Sequence, residues 1–303
     1  MSGYVPLAFL QSDVAVAHPH TSKSLPAIRA ISLDPILYTQ VPNLQAVLTK
    51  AQSFVQSSTK MSDADKSISK HVLSDTIVPL LTTKFDKNNK NTFVNQSTVE
   101  TIKDACAKWT ETTVLVSKHL PETELFPFVD LWRLALVDNV VSSWCAAQSV
   151  THSTNPVLAL LEKSSVMLAA SSGSVSSLPK SYLLTFLRML SNVFANIALA
   201  RTVLDPVIRQ PATSSNRQSL TAFLVPCLLH GDVGVRTGAA SVAFNITAHY
   251  QKQRVEDQRA RRPGQGESTG DDSGSGVDAD WEVELVSAVL EALSNESSEE
   301  VGK

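Results

Sequence analysis

Leu178-Pro179-Lys180-Ser181-Tyr182-Leu183-Leu184-Thr185-Phe186-Leu187-Arg188-Met189-Leu190-Ser191-Asn192-Val193-Phe194-Ala195-Asn196 is the stretch around which the rest of the chain is read. Leu183, Leu187, Leu190, Phe194 and Ile197 recur at helical spacing, which predicts a helix starting just after Pro179 with one apolar side to bury. At about 100° per residue, Ser181, Thr185, Arg188, Asn192 and Asn196 fall on the opposite side. Such a basic, amide-rich strip is what a solvated surface carries, and it is also what could grip a peptide.

Composition narrows the choice. A chain of 303 residues that is 43% hydrophobic and 18% charged can build a large core. It holds 11 glycines, and no run alternates apolar and polar residues as a strand meander would, so an all-α protein is expected. The formal net charge of -3 gives no general pull toward nucleic acid. Cys106, Cys145 and Cys227 show neither CxxC nor zinc-knuckle spacing, which suits free thiols in a reducing compartment, cytoplasm or nucleus. The longest apolar segment, 183–200, contains Arg188, Asn192 and Asn196, so no membrane span is expected.

In chain order, 1–24 reads as an irregular segment, and its His18-Pro19-His20 as a polar loop with no third metal ligand nearby. Pro26, Pro35 and Pro42 punctuate 25–41 into short helical turns, and a helix opens at Pro42-Asn43-Leu44. A second helix is expected over 67–81 and a polar loop over 84–95. The Ser97-Thr98-Val99-Glu100 box is then expected to cap a long helix that buries Ile102, Ala105, Cys106 and Trp109. After Pro121 comes a core-dense helix in which Asp130 and Arg133 stand one turn apart as a local ion pair. Helices follow over 140–150, 156–170, 200–208, 216–230 and 232–255. The last of these buries two sides and leaves a polar edge of Ser241, Asn245 and Lys252. Residues 256–279 are almost devoid of apolar side chains and read as a disordered insertion within a helical domain that begins at 25. A final helix over 280–303, using Val283, Val286, Val289, Leu290 and Leu293, should fold back on its predecessors.

Helix after helix, with polar strips on successive members, describes an armadillo- or HEAT-like solenoid with a concave groove and a degenerate repeat. Arg188, Asn192, Asn196, Asn245, Arg236 and Lys252 are its candidate peptide-binding residues. Motifs for phosphate loops, zinc proteases, serine hydrolases and redox dithiols are absent, so no cofactor, no metal and no small-molecule substrate are expected. A cysteine hydrolase would need Cys145 with His152 or Cys227 with His230. Both thiols sit in apolar helical segments that keep them un-ionised.

The segments Phe126-Pro127-Phe128-Val129-Asp130-Leu131-Trp132-Arg133-Leu134 and Leu184 to Phe194 resemble the FPxLDLxRL and LRxxxNxF landmarks of the PUL domain family. The helix over 235–246, ending in Phe244-Asn245, and the helix over 42–54 resemble two further landmarks, so the likeness covers roughly 35–293. The stretch over 25–42 is similar to fungal members in which the PUL domain follows a PPPDE peptidase domain and a thioredoxin domain, neither of which is present in this sequence. The resemblance implies an armadillo-like, non-catalytic domain that binds the acidic C-terminal tail of the AAA ATPase valosin-containing protein in ubiquitin-dependent protein turnover. It also implies further helices after the one matching 281–293, so the chain is expected to end early.

Overall fold

Many of the described helices begin at a side chain that satisfies their first orphan N–H groups. The computed structural model describes residues 32–85, 96–148, 154–171, 174–208, 214–260 and 280–296, and no strand occurs among them. The chain divides into Met1–Leu33 and Asp34–Lys303, and every described helix belongs to the second unit. Asn43 caps α1 (Leu44–Ser57), accepting the Ala46 N–H at 3.1 Å. Ser62 caps α2 (Asp63–His71), which passes through a π-helical turn, Val72–Ile77, into α3 (Val78–Phe85). The wider turn lies just before Pro79, whose ring would meet the Asp75 carbonyl in a regular helix. α4 (Gln96–His119) already includes Ser97, so the predicted box lies inside its first turn.

α5 (Phe126–Ala135) is followed by α6 (Asn139–Ala147), capped by Asp138, and by α7 (Pro156–Ala170), capped by Asn155. α8 (Lys180–Val193) starts after Pro179, as its periodicity requires, but it stops earlier than predicted. Asn196 adopts extended backbone and accepts the Leu199 N–H at 3.1 Å, capping the separate α9 (Ile197–Val203). Asn196 and Ile197 therefore do not belong to α8, and Ile197 is exposed instead of extending its apolar stripe. A capping box of Ser215 and Gln218 opens α10 (Asn216–Leu228). α11 (Val233–Ala260) runs past the predicted end at Val255, so the first residues of the expected insertion are helical.

The helices form two rows. α1, α5, α8 and α11 lie side by side in one, and α4, α7, α10 and α12 (Asp280–Asn295) in the other. The short α6 and α9 pack on each other at one edge. The degenerate period is thereby visible: a short helix, an outer helix and an inner helix, first as α6–α7–α8 and again as α9–α10–α11. Inner helices approach closely where Gly238 meets Leu187, since a Cβ at 238 would lie 3.2 Å from the Leu187 Cβ. Between α4 and α5, Trp109 and Trp132 stack with centroids 3.7 Å apart, and Trp132 donates to Thr113.

The final helix does fold back, on α10 and α11, but through Trp281, Leu285, Ala288 and Ala292. Of the residues predicted to be buried, Val283, Val286, Leu290 and Leu293 face outward, and Val289 is half-buried. The alanines allow closer approach to α10 than the branched face would, and the Trp281 ring lies under the Arg217 guanidinium at 4.8 Å. The readings of 1–24, His18 and His20, the 86–95 part of the polar loop, and 261–279 lie outside the described residues.

Candidate peptide groove

The inner row carries the predicted strip, and the chain itself crosses it. Of residues 25–41, expected to form helical turns, 25–31 lie outside the described residues, and 34–41 form no helix: residue 34 is a bend and 35–41 have no regular secondary structure. Pro35 and Pro42 push the residues before them out of the helical region, and the backbone groups between find side-chain partners in place of helical ones. Asn245 of α11 accepts the Ile36 N–H on Oδ1 at 2.7 Å and donates from Nδ2 to the Ile36 carbonyl at 2.9 Å. Asn192 of α8 repeats this one step along, with 2.7 Å from the Tyr38 N–H and 3.0 Å to the Tyr38 carbonyl. Two neighbouring inner helices thus hold residues two apart in the segment, 36 and 38, with identical amides.

α5 supplies the next holding point. Arg133, 5% exposed, donates to the Tyr38 carbonyl at 2.6 Å and the Gln40 carbonyl at 3.0 Å, while its Nε pairs with Asp130 at 2.6 Å. The predicted ion pair thus exists and orients a guanidinium that grips backbone. Asn192 also donates to the Arg133 carbonyl at 2.7 Å, tying α8 to α5. Asn245 likewise donates to the Ser191 carbonyl at 3.2 Å, tying α11 to α8. Both asparagines are buried, and each uses both amide hydrogens and its carbonyl oxygen in these bonds.

Side chains of the crossing segment are read separately. The exposed Arg188 lies 5.5 Å from the centre of the Tyr38 ring, and the Tyr38 hydroxyl bonds Ser241 at 3.0 Å. Lys252 approaches the Asp34 carboxylate at 3.6 Å, a solvated pair. Ile36 borders an apolar cleft of about 480 Å³ between α11 and α12, with Ala240, Phe244, Leu285 and Leu290.

Arg188, Asn192, Asn245 and Lys252 therefore contact one segment. Asn196 and Arg236 do not share in it. Asn196 caps α9 and donates to Asn139 and Ser143 of α6 at 3.2 and 3.0 Å. Arg236 holds Glu296 after α12 at 2.7 and 3.1 Å and donates to the carbonyls of His230 and Gly231. It pins one end of α12 to the start of α11. Arg133 and the segment 34–40 escaped sequence reasoning as site elements. The available signal was a proline-bracketed run without periodicity beside a one-turn Asp/Arg pair.

The cysteines are chemically quiet. Burial pushes the Cys106 thiol up to about 12, with Asp138 adding to the rise and Lys84 opposing it. Burial alone takes Cys227 to about 12, and Cys145 is raised well above the usual thiol range, chiefly by burial. No cluster of His, Cys, Asp or Glu among the described residues could hold a metal ion. No described helix is long and apolar enough to cross a membrane.

Stacked three-helix units of this kind define an all-helical repeat domain. The chain belongs to the PUL domain family, whose model matches residues 32–303, and this is a family of protein-interaction domains. No curated protein and no solved structure matches it.

Proposed function

We propose that this is a non-catalytic interaction domain that binds the acidic C-terminal tail of the AAA ATPase valosin-containing protein in ubiquitin-dependent protein turnover. The observation that carries the proposal is the doubled amide clamp. Asn192 and Asn245 each hold both backbone groups of one residue of the crossing segment, and the exposed cations Arg188 and Lys252 stand beside an aromatic ring and a carboxylate of that segment. An acidic tail with an aromatic residue near its terminal carboxylate has the chemistry these positions receive. Free, buried thiols suit a reducing compartment and hence the cytoplasm or nucleus.

The test is binding of the ATPase's C-terminal peptide to the native chain and to Arg188→Glu. Replacing the cation by a carboxylate should cost on the order of 2–4 kcal/mol of binding while the melting temperature stays unchanged. Full affinity in a folded Arg188→Glu protein would take α8 out of the groove. No affinity in the native chain would favour a scaffold for another acidic peptide, a reading that the sequence-independent backbone contacts also suit.

A further inference from the structure

The groove in this structure is occupied. We infer that Asp34–Gln40 is an intramolecular stand-in for the peptide partner, and that the partner, an extended segment with a carboxylate four residues before an aromatic ring, binds by displacing it. The inference rests on the peptide-binding reading of this groove and adds the occupancy and the register.

Three observations carry it. First, the segment adds little to the hydrophobic core: Ile36, Leu37 and Tyr38 are absent from the cluster of packed apolar residues, and Ile36, at the border of the apolar cleft, remains 43% exposed. Its hold on the protein is polar, through Asn245, Asn192, Arg133 and Ser241. Hydrogen bonds of this kind exchange for bonds to water, or to another backbone, at modest net cost. Second, most of those bonds go to main-chain N–H and C=O groups, which any extended peptide offers at the same spacing. What distinguishes ligands is the side-chain set: Tyr38 beside Arg188 and Ser241, Asp34 beside Lys252, and Ile36 at the apolar cleft. Third, the segment is continuous with the Asn43 cap of α1 through Val41 and Pro42, so it can lift away from the groove without unwinding a helix.

Cis occupancy lowers apparent affinity by the fraction of time the groove is open. A segment in place nine-tenths of the time weakens binding about tenfold. The experiment uses the full chain and the variant Ile36→Pro/Tyr38→Pro, which removes both N–H groups that the asparagines accept. The probe is a fluorescein-labelled synthetic peptide spanning residues 32–42, read by anisotropy, with the ATPase tail peptide in parallel. The opened variant is expected to remain cooperatively folded, with a midpoint lowered only by the loss of the segment's own bonds, and to bind the 32–42 probe at least about tenfold more tightly than the native chain does. Changing Tyr38 or Asp34 of the probe to Ala should weaken it. In the native chain, the Ile36 and Tyr38 amides should exchange with solvent much faster than the amides of α8 and α11.

Equal binding of the probe to both proteins, no binding to a folded variant, or Ile36 and Tyr38 amides as protected as the core would overturn the inference. So would a variant that fails to fold, because the segment would then be part of the fold. Tail peptide silent on both proteins, with the probe captured by the opened variant, would sink the choice of ATPase and leave the stand-in. Tail peptide equally tight on both would do the reverse.

Discussion

Asn192 and Asn196 are four residues apart and look interchangeable on a helical wheel, yet the structure gives them different work. Asn192→Ala removes an acceptor for the Tyr38 N–H at 2.7 Å and donors to the Tyr38 and Arg133 carbonyls at 3.0 and 2.7 Å. At a net value of about 1 kcal/mol each, these bonds together stabilise the fold by about 3 kcal/mol. Water can replace the Tyr38 partners, which lowers the loss, but the Arg133 carbonyl is left buried without this partner, which raises it, so the total should sit near that figure. Asn196→Ala removes one helix cap and two exposed side-chain bonds, costing about 1 kcal/mol. Urea titration followed by circular dichroism measures both, and the m-value should stay constant. In thermal scans Asn192→Ala should lower the midpoint by roughly 6–12 °C, taking about 2–4 °C per kcal/mol for a domain of this size. Indistinguishable losses in the two variants would refute the assignment of Asn192 as the joint between α5, α8 and the crossing segment.

Other outcomes come from the same packing. Gly238→Val should cost on the order of 1–3 kcal/mol in urea titration, because the new side chain meets Leu187 and pushes α11 off α8. Gly238→Ala should cost less. The thiols of Cys106, Cys145 and Cys227 should label slowly at neutral pH in the native chain and rapidly in denaturant, and fast native labelling of one would revive hydrolase chemistry. His249 has its pKa lowered by burial and then by the nearby Arg201, with Glu256 opposing. Its folded-state pKa lies below the unfolded value of 6.5, so its contribution is present above pH 6.5 and is lost as pH falls through the folded value. Thermal scans from pH 7.5 to 5 should show a decline that His249→Gln reduces.

Much of the architecture was legible because local signals are local. Asn155-Pro156 begins α7, and Asn43-Leu44 begins α1, where cap chemistry says they should. The face of α12 was misread because two apolar stripes compete there, and the choice between Ala288 and Ala292 on one side and Leu290 and Leu293 on the other is made by close approach to α10. The break after Val193 was hidden by continuing apolar periodicity, which an asparagine cap overrode. For the candidate site, the polar positions of Arg188, Asn192, Asn245 and Lys252 were readable from spacing, whereas the segment they contact was not. The deciding bonds join residues 154 and 209 positions apart, and nothing in the local pattern of 34–41 encodes them.

The central claim is that the amides of the inner helices form a peptide groove. It is tested most directly by titrating the isotope-labelled chain with the ATPase's C-terminal peptide and following side-chain amide resonances by NMR. The account predicts that the Nδ2 groups of Asn192 and Asn245 shift together with the Ile36 and Tyr38 backbone amides, at one common affinity. Binding that moves the exposed face of α12 and leaves those asparagine amides in place would contradict it.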